Sequence, residues 1–357
     1  MGNRANYVLI ENGQKQIFYS QFGAITIPAV LLAGPEDTLK YILKLATTDQ
    51  LMNNVWAEGG ILFNADERHM LFWGGDSIAA YPYLRRPLLK LLPALWQGWS
   101  IDWAIHGVAD LAYALGWDVW KVLEDDFDDT DFLQGYGAVI TEAQLMDSLL
   151  ADGAKSLITI RRKNGEVRDY FFSAHSSLGE AFFSPEPYKM LSLGPQLITF
   201  LDAQSTAPLP LESSEQEPDK GALIDEETHT LWVWDNELDP RYQEAIARRW
   251  PGWQVKGHVE GLIRHVQLSG RNATPLMLPT EQVNQKLLHE LVDFQSFDPD
   301  RLAHVIRQAL PAEKQQNVKF AQGFFSVDTP PLASQERRKI LENLLSQVSD
   351  HTANVEK

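Results

Sequence analysis

Apolar and polar positions alternate in short runs near the N-terminus, give way to a helical spacing, and repeat the same change in the second half of the chain. Residues 7–20 (YVLIENGQKQIFYS) hold two β-rich runs around Asn12-Gly13, a dipeptide suited to the left-handed backbone of a tight hairpin turn. Residues 157–173 (LITIRRKNGEVRDYFFS) have the same form around Asn164-Gly165. Each hairpin leads to Pro-Glu and a helix-like run, Pro35-Glu36 through Ile42 in the first half and Pro185-Glu186 through Leu191 in the second.

A second pair of runs then aligns without a gap: Gly60–Trp73 (GILFNADERHMLFW) and Gly221–Trp234 (GALIDEETHTLWVW). Both predict paired strands buried on at least one face. In the second half Asp239 is a natural N-cap, with Pro240 at the first helical position of a helix running to Trp250. In the first half a helix from Pro82 carries Leu84, Leu88, Leu91, Leu92 and Leu95; Pro87 and Pro93 inside it predict a kink or two shorter pieces. Trp96-Gln97-Gly98-Trp99 is echoed by Trp250-Pro251-Gly252-Trp253. A strand follows (100–105; 254–259), then a short helix, with Gly107 and Gly116 falling opposite Gly261 and Gly270 and the second of each pair closing the helix.

The expected architecture is therefore α+β: two tandem diverged repeats, each roughly ββ-α-ββ-α-β-α, with approximate internal two-fold symmetry and a C-terminal helical extension. Repeat one covers 1–116, an acidic connector and helix 117–154, repeat two 155–278, and the extension 279–357 with a disordered polar tail. The connector helix is signalled by the capping box Thr141-Glu142-Ala143-Gln144 before Leu145, Met146, Leu149 and Leu150. Repeat two carries a flexible insert at 207–220, rich in Pro and acids. The extension reads as helices at 281–294, 299–310 and 335–348.

Composition narrows the function classes. With 357 residues, 44% hydrophobic and 22% charged, two soluble domains are expected. No cysteine occurs, which removes disulfides, thiolate chemistry, cysteine zinc sites and iron–sulfur clusters. No apolar run is long enough for a membrane span, the first residues lack a signal-peptide core, and Asn6 breaks the myristoylation pattern after Met1-Gly2. A cytoplasmic protein without membrane contact is expected. Its net charge of −17 repels phosphate backbones, which argues against nucleic-acid binding, and steers basic partners.

Candidate chemistry is sparse. The acidic run Glu124, Asp125, Asp126, Asp128, Asp129 and Asp131 reads first as a solvated loop and, functionally, as a surface for a basic protein; it lacks the central Gly and terminal Glu of a calcium loop. The matched pairs Trp73/Trp234, Trp96/Trp250 and Trp99/Trp253 read as packing corners rather than stacking platforms. The nine histidines are scattered singly, without a zinc spacing, and neither a nucleophile elbow nor a phosphate loop is present. No cofactor or metal is expected. Asp76, Asp235 and Glu237 follow the repeated strands, and Arg86 and Arg249 lie on the following helices; these are the candidates for a cleft between the repeats. The leading expectation is an acidic protein-binding module of the immunity or inhibitor type that neutralises a basic protein. The alternative is a hydrolase or transferase using carboxylates and histidines in that cleft, which would need a water-excluded carboxylate pair or carboxylate–His pair.

Overall fold

A computed structural model of the chain describes residues 3–123, 154–173, 188–203, 218, 220–293 and 329–355. The fold is mixed α+β with one six-stranded and one five-stranded sheet. Two compact units result: Met1–Glu124 with Pro279–Lys357, and Asp125–Leu278.

In unit one, β1 (Ala5–Glu11) and β2 (Gln14–Ser20) form the expected hairpin, with Asn12 and Gly13 both at positive φ. Asp66 fixes this turn from outside, accepting from the amides of Asn12 (2.7 Å) and Gly13 (2.8 Å). Helices α1 (Ile27–Leu31) and α2 (Gly34–Ile42) follow, then a short strand β3 (Ala46–Thr48), which pairs antiparallel with β2. The second hairpin is β4 (Gly59–Asn64) and β5 (His69–Trp73). Next come α3 (Asp76–Ala80), α4 (Pro82–Leu95), β6 (Ser100–Trp103) and α5 (Val108–Leu115). Parallel pairing of β1 with β4 and of β5 with β6 completes the order β3-β2-β1-β4-β5-β6.

Unit two runs β7 (Ala154–Arg161), β8 (Val167–Ser173), α6 (Tyr188–Leu191), α7 (Gln196–Asp202), β9 (Lys220–Asp225), β10 (Thr230–Trp234), α8 (Pro240–Arg249), β11 (Gln254–His258) and α9 (Gly261–Leu268). Its sheet order is β11-β10-β9-β7-β8, with parallel pairing of β7 with β9 and of β10 with β11. Apart from β3, order and strand sense match those of unit one. Helices α6, α7 and α8 cover one face, where Ile158, Ile160, Leu231 and Val233 meet Leu191, Leu197, Leu201 and Trp250. Helix α9 covers the other, where Leu157 and Trp234 meet Leu262 and Val266. Alternate strand residues therefore supply separate cores, as the period of two requires.

The repeated tryptophans act as corners in both units. Trp96, buried just past α4, donates its indole N–H to the Leu31 carbonyl at the end of α1 (2.8 Å). Trp250, past α8, does the same to Leu191 at the end of α6 (2.7 Å). Each bond satisfies a buried indole donor at a helix-end carbonyl, which at Leu191 also accepts from the Gly194 amide. The next tryptophan stands edge-on to the first: Trp96 and Trp99 lie 5.3 Å apart at 81°, and Trp250 and Trp253 5.1 Å apart at 80°.

Several expectations shift. Pro87 and Pro93 do not divide α4, which is continuous from Pro82 to Leu95; the burial of Leu84, Leu88, Leu91 and Leu92 outweighs the lost backbone hydrogen bonds. Gly34 (φ 74) and Gly194 (φ 64), each followed by a proline, both make a left-handed step at the start of the next helix. The C-terminal helices α10 (Thr280–Leu288) and α11 (Ser334–Val355) belong to unit one. Buried Arg337 joins α11 to the π-helical turn His289–Asp293 by donating to the carbonyls of Leu291 (2.8 Å) and Val292 (3.3 Å). The helices expected at 141–150 and 299–310, the insert's residues 207–217 and Pro185-Glu186 lie outside the described residues.

Asp239 is the N-cap of α8, accepting from the Arg241 amide (2.8 Å) and pairing with the Arg241 guanidinium (2.7 Å). Asp239→Ala is expected to lower the stability of unit two by about 1–2 kcal/mol, read from the urea midpoint of its tryptophan signal.

Candidate functional site

The exposed aromatic surface of unit one is built by two loops tied to the sheet and to each other. Buried Asn6 on β1 clamps the backbone of Met52 in both directions, donating to its carbonyl (2.9 Å) and accepting from its amide (2.9 Å). This fixes the start of a turn in which the amides of Trp56 and Ala57 bond the Asn53 carbonyl. The Asn54 amide reaches across to the Val122 carbonyl (2.9 Å). Val122 ends a short 3-10 helix, Val119–Lys121, whose N-cap is Asp118. The turn and this helix leave Val55 43%, Trp56 52% and Trp120 37% exposed, and the Arg4 guanidinium sits 4.9 Å from the Trp56 ring. The acidic run Glu124, Asp125, Asp126, Asp128, Asp129 and Asp131 lies outside the described residues, but in sequence it begins two residues beyond Val122.

The cleft candidates Asp76 and Arg86 belong to unit one, and Asp235, Glu237 and Arg249 to unit two. Asp76 opens α3, is exposed, and accepts from Asn3 Nδ2 (3.1 Å). Its charge adds to burial in raising the nearby Glu58 carboxyl above the usual range. Arg86 is half-buried on α4. In unit two, Asp235 follows β10 and accepts from the Asn236 amide (2.7 Å), Glu237 is exposed two residues on, and Arg249 is exposed at the end of α8.

A buried polar chain in unit two was not anticipated. Trp234 Nε1 lies 3.0 Å from His265 Nδ1, and His265 Nε2 lies 2.6 Å from Thr159 Oγ1. Thr159 Oγ1 donates to Asp169 Oδ1 (2.5 Å), its cross-strand partner. Arg271 grips both oxygens of Asp169 (2.5 and 3.1 Å) and also donates to Ser269 Oγ (2.8 Å). Because an indole nitrogen can only donate, His265 Nδ1 is the acceptor and the proton sits on Nε2. Polarity then runs one way, from Trp234 to His265 to Thr159 to Asp169. His265 and Thr159 are fully buried. Burial, reinforced by the charges of Arg271 and His258, holds the imidazole well below its usual range and keeps it neutral.

This cluster has the composition of a carboxylate–hydroxyl–imidazole triad but not its direction. The imidazole donates to the hydroxyl instead of accepting from it, so it cannot act as general base toward Thr159. The chain works as a clamp joining β7, β8 and β10 to α9 and to Arg271 just beyond it. Unit one builds the same place from apolar residues. Asn6 lies opposite Gly60 as Leu157 lies opposite Gly221, which aligns Val8 with Thr159 and Ile17 with Asp169. Leu111 on α5 takes the place of His265 on α9, counted from Gly107 and Gly261. Val8, Ile17 and Leu111 are all buried. That exchange is the readable signal: polar residues in one unit where the other has Val, Ile and Leu at the matching register.

Among the described residues no group of three or more His, Asp and Glu converges as a metal site, and no helix is long and apolar enough to cross a membrane. No protein-family model, no curated protein and no solved structure matches the chain.

Proposed function

We propose that the chain is a protein-binding module built from two diverged copies of one duplicated fold, and that it captures a basic protein in the manner of an immunity or inhibitor protein. The observation that carries this reading is the exposure of Val55, Trp56 and Trp120 on two loops joined by the Asn54–Val122 hydrogen bond, with Trp120 four positions before an acidic run in sequence, in a chain of net charge −17. Exposed tryptophans held by a firm backbone suit binding hot spots, because they bury large area at little entropic cost. The flanking acids suit the steering of a cationic partner and disfavour nucleic acid. The duplication is supported by the shared strand order, the paired tryptophan corners and the matched left-handed glycines. A chain without cysteine suits a cytoplasmic working place.

The test is crosslinked capture from the native lysate, followed by interferometry with the purified partner. Trp56→Ala with Trp120→Ala is expected to weaken binding at least about tenfold, mainly through faster dissociation. Replacing the six acids at 124–131 by Asn and Gln is expected to slow association and remove its salt dependence. Failure to recover any basic protein, or binding indifferent to both changes, would sink the proposal.

A further inference from the structure

We propose that the buried chain Trp234–His265–Thr159–Asp169–Arg271 is an acid-sensitive latch confined to unit two: it holds the sheet against α9 while His265 is neutral and opens when His265 takes a proton. The geometry carries this. A proton on Nδ1 would point at the Trp234 N–H across 3.0 Å, donor against donor, with no room for an intervening acceptor. The anion in the chain, Asp169, reaches the ring only through Thr159 and is already gripped at both oxygens by Arg271.

The other charged and titratable groups around α9 give no relief. On β7, Arg161 is paired with Asp225 of β9 and with Glu227. On β11, His258 stacks on Trp234 at 6.3 Å and 12° and itself opposes a charge on His265. On α9, Arg264 is paired with Glu260. Beyond its end, Arg271 adds a further positive charge.

The folded-state imidazole is held below its ordinary value of 6.5, so its contribution is complete above that pH and is lost as pH falls. Below it, the open form binds a proton that the closed form excludes, and the closed-to-open ratio falls by about tenfold per pH unit. Unit one, with Val8, Ile17 and Leu111 in these places, has nothing to titrate there and serves as an internal control.

Hydrogen exchange on the full chain between pH 7.5 and pH 5, corrected for intrinsic rates, tests the latch. Protection in β7, β8, β10 and α9 is expected to fall about tenfold per pH unit below about 6.5, while β1, β2, β5 and α5 hold theirs. The triple variant Thr159→Val, Asp169→Ile, His265→Leu, which installs the unit-one residues, is expected to flatten the response of unit two. A loss that persists in that variant, or an equal loss in both units, overturns the proposal. Should the variant fail to fold, nitrogen NMR of the wild-type ring decides. A neutral ring protonated at Nε2 wherever unit two is closed supports the latch; a His265 that titrates near its ordinary value with unit two intact refutes it.

Discussion

Gly221→Ala is expected to cost unit two about 3 kcal/mol or more, enough to abolish amide protection in its sheet while unit one stays folded. A methyl group at this position on β9 would collide with the backbone carbonyl of Leu157 on the neighbouring parallel strand and stand 2.8 Å from Trp234 Nε1. A carbonyl in a central strand cannot move aside without parting β7 from β9, and the same methyl group would displace the indole that anchors the buried polar chain. Gly60→Ala is expected to do the equivalent in unit one, where the methyl group meets the Trp73 ring and the Asn6 carbonyl at 2.8 Å. Gly165→Ala provides the scale: its φ of +83° strains any side chain, but nothing lies within 4 Å, so about 1 kcal/mol is expected. Urea unfolding followed by unit-resolved hydrogen exchange separates the three. A Gly221→Ala protein no less stable than Gly165→Ala would show that the strands do not approach this closely.

The buried polar chain predicts strong non-additivity at neutral pH. His265→Leu alone leaves the Trp234 N–H and one side of Thr159 without partners in a dry site, a loss of about 2–4 kcal/mol. Asp169→Ile alone strands the Thr159 hydroxyl and Arg271; as the Arg271 side chain is 27% exposed, water softens the loss to about 2–3 kcal/mol. The triple change to Val, Ile and Leu removes most of the linked groups together. It is expected to fall within about 1–2 kcal/mol of the wild type, far less than the summed single costs. Denaturation of the single and triple variants measures the coupling, and additive losses would mean that the groups do not act as one chain.

What the sequence revealed follows from how local each signal is. Asn12-Gly13 announces its hairpin because that turn needs left-handed residues at both places, Asn164-Gly165 because its turn needs one at Gly165, and Asp239-Pro240 announces a helix start for the same kind of local reason. The tryptophan corners were readable because each unit must rebuild its own core. Strand β3 was not, since three residues with two of them exposed carry no period. The continuity of α4 was hidden because a proline's penalty is local while the burial that outweighs it is tertiary. Thr159 and Asp169 pass for ordinary alternation on a hairpin; only His265, 106 positions after Thr159, turns them into a buried chain. Of the aromatic surface, Trp120 and Trp56 were visible only as residues, and the loops that expose them depend on the clamp of Asn6 on Met52.

The discontinuity of unit one has a consequence for biosynthesis. Its last helices, α10 and α11, come from residues after Pro279, whereas unit two is a single stretch, Asp125–Leu278, inserted between its parts. A chain emerging from the ribosome therefore has all of unit two before it has the whole of unit one. Until α10 and α11 arrive, the apolar flank of α4 that they cover stands open to solvent, and the unit that starts first is the last to close.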